Sequence, residues 1–153
     1  MRRAWLAIAA LVGSGAAAPA VRAQKAEPEA RVDAIFAHRS TVQAALGADI
    51  PFSPELHLEL ALGAGPVFGG GERADFGARV DGVVHFLLDP THAMRWSPYA
   101  GGGVGGRYDG LAHWRAVAIL VLGVNAPRRK HMIPFLEAGF GGGVRIGAGI
   151  RRF

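Results

Sequence analysis

The sequence predicts an all-β fold, an antiparallel up-and-down β-barrel of six to eight strands with its apolar residues facing outward to lipid. Three observations lead to this prediction. Apolar residues recur at every second position in one segment after another. Glycine accounts for 23 of the 153 residues, which disfavours long helices because each interior glycine costs about 1 kcal/mol relative to alanine. The chain also opens with a segment typical of exported proteins.

That opening segment covers residues 1–23. Two arginines directly follow the initiator methionine, a short apolar run comes next, and small residues precede an expected cleavage site before Gln24. The apolar run is shorter than the roughly 20 residues that a membrane-spanning helix requires. We therefore predict a signal peptide at 1–23, an N-terminal tether or short extra element at 24–38, and the β-barrel domain at 39–153.

Export changes the charge balance of the chain. The full sequence has 17 basic and 12 acidic residues and a net charge of +5. Three of the basic residues lie within 1–23, leaving 14 basic and 12 acidic residues and a net charge of +2. A balance this even indicates no nucleic-acid partner. Cysteine is absent, so neither disulfides nor thiolate metal sites hold the fold together.

The first three predicted strands are Val42–Ile50, Leu56–Ala64 and Ala74–Leu88. In each of them the even-numbered positions are mostly apolar, whereas the odd-numbered positions are mostly polar or small. The turn Pro51–Pro54 makes the first two strands a hairpin, and Asp89-Pro90 ends the third.

Four more predicted strands follow, at Trp96–Tyr108, Trp114–Asn125, Met132–Phe140 and Val144–Arg151. The second of these is the least polar, because both of its faces carry aliphatic residues. Seven strands conflict with the even strand number of bacterial membrane barrels. Either a short strand at Val32–Ala37 completes the set or one segment is misassigned, and the surrounding stretch is equally compatible with a short helix or a tether.

The polar faces of these strands distinguish a membrane barrel from a soluble sandwich, which has the same alternation. They combine glycine with charges of both signs, as suits a narrow lumen in which small residues make room for long ones. We expect Glu59 and Asp81 to pair with Arg79, Arg107 or Arg115 and to close the lumen, since an unpaired confined charge costs several kcal/mol. The predicted interior charge network consists of Glu59, Arg79, Asp81, Arg107, Arg115 and Glu137.

Aromatic residues on the outward faces are predicted to lie at the membrane interfaces. Phe76 and Phe86 share a face and are ten residues apart, which spans roughly 25 Å of membrane normal in a tilted strand. Trp96 and Tyr108 bracket the next strand, and Trp114 opens the one after it. This placement is typical of the aromatic girdles of membrane barrels.

The export segment, the glycine-rich strand Ser97–Gly105 and the alternating ending Ile146–Phe153 together resemble the small outer-membrane β-barrel proteins, the class that includes the OmpA-type membrane domain. The resemblance covers most of the mature chain as a pattern. It implies a structural or interaction role in the outer membrane, with outer-membrane lipid and the barrel-assembly machinery as partners. It also implies that the terminal aromatic residue is an insertion signal.

Phe153 has the opposite parity to the apolar face of its strand, which indicates either a bulge near Arg151-Arg152 or a weaker signal.

No catalytic, cofactor-binding or metal-binding residue is predicted, and no small-molecule ligand is identifiable. Gly101–Gly106 matches the dinucleotide motif G-x-G-x-x-G, but no helix follows it to hold a pyrophosphate. His57 and Glu59 share a strand face and His85 is expected nearby, yet a metal site needs three or four ligands in a fixed geometry. A hydrogen-bonded interior is therefore the preferred interpretation of these residues.

Two other functions remain open. The first is a secreted or periplasmic β-sandwich or lipocalin-like binding protein with an apolar interior. The second is a barrel enzyme similar to the lipid A deacylases, which use a Ser-His pair on the outer wall; Ser97 would be its nucleophile, although its parity is that of the polar face. The basic connector Arg128–Lys130 is interpreted as a solvated loop, with contact to anionic lipid as the alternative.

Overall fold

The computed structural model describes residues 25–69, 75–91, 94–110 and 114–153. They form eight antiparallel strands in a closed barrel, each paired with the next in sequence and the last with the first. The strands are β1 Glu27–Phe36, β2 Ser40–Pro51, β3 Leu56–Phe68, β4 Asp75–Leu87, β5 Ser97–Tyr108, β6 Arg115–Asn125, β7 Met132–Phe140 and β8 Val144–Arg152. The predicted antiparallel up-and-down barrel is confirmed. The predicted signal peptide lies outside the described residues, among which no helix is long and apolar enough to cross a membrane.

The first strand, β1, brings the strand number from seven to eight. Ala34 of β1 pairs with Val42 of β2 on one side and with Ile146 of β8 on the other, so β1 closes the barrel. The stretch that sequence reasoning treated as a tether, a helix or a short strand is therefore a ten-residue strand, and the barrel begins at Glu27 instead of residue 39. Its alternation is hard to recognise because two of its outward residues are alanines, Ala30 and Ala34, which give little hydrophobic contrast.

The barrel has two ends, which we name by the chain. At the terminal end lie the start of β1 and the end of β8, together with the β2–β3, β4–β5 and β6–β7 connections. At the distal end lie the other four connections. Successive strands run in opposite directions between these two ends, because the topology is up-and-down.

The outer wall of the barrel is apolar. Large aliphatic side chains of neighbouring strands point away from the interior, and Leu46, Val104 and Leu122 are 71%, 72% and 68% exposed. Soluble monomers rarely expose contiguous apolar surface on this scale. The arrangement is the reverse of the one expected for a soluble sandwich or a lipocalin-like protein, whose apolar side chains would converge inward.

The interior contains a small apolar cluster besides its many charged side chains. Val83 of β4 packs against Ile119 and Val121 of β6, and all three are buried. These inward residues explain why the sequence of β6 is apolar on both faces. One face lies on the outside of the barrel, and the other fills the lumen.

Inward glycines accommodate the largest interior side chains of the adjacent strands. Tyr99 lies in register with Gly123, and a Cβ atom at that glycine would overlap the tyrosine ring. Arg79 lies in register with Gly63, where a Cβ atom would come within 2.7 Å of the arginine Nε. The glycine-rich polar faces therefore serve, as predicted, to make room for long side chains.

Candidate functional site: the charged barrel interior

Arg31 of β1 is the hub of the interior. Its Nη1 lies 3.3 Å from Glu29 Oε1 and 3.0 Å from Glu59 Oε1. Its Nη2 lies 2.8 Å from Asp33 Oδ1 and 2.7 Å from Glu137 Oε1. All five side chains are fully buried. One guanidinium thus joins carboxylates from three strands, in the fork geometry that suits arginine to this task.

A second group of ion pairs lies beside this hub, around Asp81 of β4. Asp81 Oδ2 is 3.1 Å from Arg79 Nη1 and 2.9 Å from Arg145 Nη1. Arg79 also pairs with Asp33, and Arg145 with Glu137. Because Asp33 and Glu137 also contact Arg31, the two groups form one continuous network of charge-assisted hydrogen bonds.

Toward the terminal end, Arg151 of β8 extends the network. Its Nε donates to Glu29 Oε2 at 2.8 Å, and its Nη1 donates to Asn125 Oδ1 at 3.1 Å. The same guanidinium lies 4.5 Å from the centre of the Phe135 ring and 5.5 Å from that of Tyr99. Cation–π contacts of this kind stabilise a desolvated arginine.

The described strands bury six carboxylates and five guanidiniums in the interior. One of the carboxylates, Asp49, also contacts an imidazole, since His57 Nδ1 lies 2.6 Å from Asp49 Oδ2. The acidic residues are Glu29, Asp33, Asp49, Glu59, Asp81 and Glu137, and the arginines are Arg31, Arg79, Arg107, Arg145 and Arg151.

Five of the six residues of the predicted network lie buried in the interior, namely Glu59, Arg79, Asp81, Arg107 and Glu137. Asp81 pairs with Arg79. Glu59 does not pair with any of the three predicted arginines; its partners are Arg31 and, at 3.5 Å, Arg151. The difference arises because the arginine of β1 belonged to a segment that the sequence placed outside the barrel.

Arg115 does not lie in the interior. Its side chain is 62% exposed and pairs with Asp109 at 2.8 Å. Arg115 is the first residue of β6 and stands in register with Arg107, so an inward orientation would set two like charges side by side. At the distal rim the side chain instead turns toward the carboxylate of the preceding connection.

Arg107 is the least well compensated of the interior arginines. Its Nε and Nη2 atoms are buried and have no hydrogen-bond partner within the described part of the chain. It lies beside the β7–β8 turn, where a Cβ atom at Gly142 would be 3.0 Å from its Cδ.

Sequence reasoning missed several network members that parity identifies once the strands are known. Glu29, Arg31 and Asp33 alternate along β1, and Arg145 and Arg151 alternate along β8. Tyr99 also has the inward parity of its strand and is buried. What the sequence did not reveal was which of these residues meet across the lumen.

The five predicted interfacial aromatics all point outward. Phe76 and Phe86 lie near opposite ends of β4. Further exposed aromatics that the sequence analysis did not single out occupy the same two levels. The distal level has Phe36, Phe68, Phe76, Tyr108, Trp114 and Phe140, and the terminal level has Phe52, Phe86, Trp96 and Phe153.

Phe153 follows β8 directly and is not displaced by a bulge. The β7–β8 register runs unbroken to the pair Met132↔Arg152, so the bulge considered near Arg151-Arg152 is absent. Phe153 lies beyond the strand, 41% exposed, with the Arg128 guanidinium 4.8 Å from its ring centre. Because Phe153 lies beyond the strand, its odd position in the sequence does not decide whether its side chain faces inward or outward.

No protein-family model matches the chain, and no curated protein matches it. Among solved structures, the crystal structure of Neisserial surface protein A covers 83% of this chain and 94% of its own, with a TM-score of 0.63 and 10% identity. A de novo designed transmembrane β-barrel covers 85% of this chain and 98% of its own, with a TM-score of 0.53 and 19% identity. At these identities the likeness is one of fold, and it confirms the resemblance to small membrane β-barrels.

Proposed function

We propose that this chain is a sealed outer-membrane β-barrel with a structural or interaction role and no turnover chemistry. The observation that carries the proposal is the distribution of polarity: large aliphatic side chains cover the outside, and a paired charge network fills the inside. Lipid tails are the medium in which such an exterior is stable, and a closed barrel leaves no backbone edge unpaired within them.

The interior network supports a closed lumen. Arg31 of β1 contacts Glu137 on β7 and Glu59 on β3, and Arg145 of β8 contacts Asp81 on β4. These ion pairs bridge strands that are not neighbours, so they cross the lumen. An eight-stranded barrel is just wide enough for its side chains to fill it, and a solute would have to break several charge-assisted bonds to pass.

A structural or interaction role is favoured over an outer-wall hydrolase. A deacylase-like pair would place its serine among the lipid-facing residues, whereas Ser97 is 3% exposed and has the inward parity of Tyr99. Ser53 lies in the β2–β3 turn, where its hydroxyl donates to Glu55 Oε2 at 3.0 Å.

The partners in this proposal follow from the exterior. Outer-membrane lipid would surround the apolar belt, with the two levels of aromatic residues at its interfaces. The barrel-assembly machinery would meet the C-terminal strand during insertion. No nucleic acid and no small-molecule ligand enter the proposal.

Cell fractionation with gel electrophoresis tests the membrane location. We expect a detergent-requiring species in the outer membrane that migrates differently when heated and unheated. A detergent-free monomer in the periplasm would refute the proposal.

Planar-bilayer recording tests the seal separately. The folded barrel is expected to give no steady ion conductance, in contrast to a general porin measured in the same lipid. Steady, porin-like conductance would show that the interior network does not close the lumen, while leaving the membrane location intact.

A further inference from the structure

His85 is a buried interior group whose hydrogen-bonding capacity is unused. It lies on β4 and is 1% exposed, and neither ring nitrogen has a hydrogen-bond partner among the described residues. Its Nε2 lies 3.7 Å from Glu59 Oε2 and 3.8 Å from Glu137 Oε2, which is too far for hydrogen bonds. Leaving a buried polar group unsatisfied costs about 1–3 kcal/mol, so this arrangement points to a ligand that all three side chains share.

We propose that Glu59, His85 and Glu137 bind a zinc ion inside the barrel. One imidazole nitrogen and two carboxylate oxygens are a donor set that suits zinc, with a fourth position left for water. Two ligands that are each about 2.1 Å from one ion lie about 3.4 Å apart at the tetrahedral angle. The separations of 3.7 Å and 3.8 Å from His85 Nε2 are slightly longer than this value.

The three ligand atoms lie close together. They are within 4.8 Å of one another, although they come from β3, β4 and β7. Two ligands of one zinc ion are at most about 4.2 Å apart, so the side chains must move toward one another when the ion binds. Glu137 is the ligand that sequence reasoning could not supply, because β7 is not adjacent to either of the other two strands.

Neighbouring residues hold these ligands in position, as residues around metal ligands commonly do. Tyr99 donates its hydroxyl to Glu137 Oε2 at 3.1 Å, and its ring centre lies 4.8 Å from that of His85. Gly101 lies in register with His85, and a Cβ atom there would come within 2.5 Å of the imidazole Cδ2. The tyrosine and the glycine together define the position of the imidazole ring.

Arg31 satisfies the outer oxygens of both carboxylates. It contacts Glu59 Oε1 at 3.0 Å and Glu137 Oε1 at 2.7 Å, so the Oε2 atoms are the ones that face His85. Its Nη1 also lies 3.1 Å from Glu59 Oε2, and Arg151 Nη2 lies 3.5 Å from the same oxygen. A bound cation would compete with these two contacts.

A protonated His85 would account for the arrangement less well. An imidazolium beside two carboxylates forms short charge-assisted hydrogen bonds, of about 2.7–2.9 Å. The observed separations exceed this range by almost 1 Å to both oxygens.

The zinc content of the folded barrel tests the inference. The chain is folded into detergent micelles with zinc present and then desalted, and bound metal is measured by mass spectrometry. We expect about one zinc per barrel and, after cobalt exchange, the visible absorption of four-coordinate Co²⁺. His85→Gln is expected to lose the metal and His131→Gln, at the exposed terminal end, to keep it. A wild-type barrel without zinc, or a His85→Gln barrel that retains it, would overturn the inference.

His85→Cys provides a second test that does not depend on loss of binding. The chain has no cysteine, so a thiolate-to-cobalt charge-transfer band in this variant would identify position 85 as a ligand. A folded, cobalt-loaded variant without that band would contradict the assignment. Tyr99→Phe is expected to weaken zinc affinity about tenfold. None of these readouts depends on the membrane location or on the conductance of the barrel.

Discussion

Arg31 and Glu137 stand 106 positions apart in the sequence and meet inside the barrel, where Arg31 Nη2 donates to Glu137 Oε1 at 2.7 Å. The strands that carry them, β1 and β7, are not neighbours, so this bond crosses the lumen. It connects the strand that closes the barrel to a carboxylate that Arg145 and Tyr99 also contact.

Replacing Arg31 with methionine should destabilise the barrel strongly. The change keeps much of the side-chain length but leaves four buried carboxylates short of a partner. Breaking a buried ion pair by removing one member typically costs about 3–5 kcal/mol. Urea unfolding in lipid vesicles measures the difference in the free energy of unfolding. Arg115→Met is the matched control and should change it little, since that pair is exposed; equal losses in the two variants would contradict the hub role of Arg31.

Adding a methyl group opposite Tyr99 should also destabilise the barrel. In Gly123→Ala the new Cβ atom would overlap the tyrosine ring, and overpacking of this kind costs about 1–3 kcal/mol. In Gly102→Ala, the control, the new atom would face outward with its nearest contact to Leu120 at an ordinary 3.6 Å. We expect a lower urea midpoint for the first variant alone. Comparable stability of the two variants would show that the interior accommodates the added methyl group without strain.

The lipid contact of the outer wall can be tested with one charge at two depths. Leu120 is near the middle of β6, and Leu120→Arg should cost about 2–4 kcal/mol in vesicles, whereas Leu88→Arg, near the terminal end, should cost about 0–1 kcal/mol. Unfolding in vesicles measures both. If the two substitutions have equal, small effects on the free energy of unfolding, the apolar outer wall does not face the hydrocarbon core of the membrane.

Phe153→Ala should slow assembly into the outer membrane without reducing the stability of the folded barrel. The side chain is 41% exposed and stacks mainly with Arg128, so the folded state loses little. The resemblance to small outer-membrane barrels implies that an aromatic residue directly after the last strand takes part in recognition during insertion. Pulse-chase fractionation measures the rate, and Phe52→Ala, at the same end, is the control. A normal rate in Phe153→Ala would remove its role as an insertion signal.

Two strands were predicted nearly to the residue. Met132–Phe140 is observed with the predicted bounds, and Ala74–Leu88 differs from β4 by one residue at each end. β4 has strong contrast between its apolar and polar faces, whereas β7 lies between a basic connector and a glycine-rich turn that mark its ends. β1 was predicted only as one alternative, a short strand at Val32–Ala37, because its alanines weaken the contrast between the faces. That alternative begins after Arg31, so Arg31 was left out of the predicted network and Glu59 was given the wrong partners.

The period-two pattern of the sequence, by itself, determined that the chain forms antiparallel strands, which side of each strand is apolar, and where aromatic residues mark the strand ends. These properties depend on near neighbours along the chain, because successive side chains of a strand point to opposite faces. Only the tertiary structure decided which inward charges meet, such as Arg31 with Glu137, and that Glu59, His85 and Glu137 face one another. The closure of eight strands and their stagger set those contacts, and neither is contained in the alternation of any single strand.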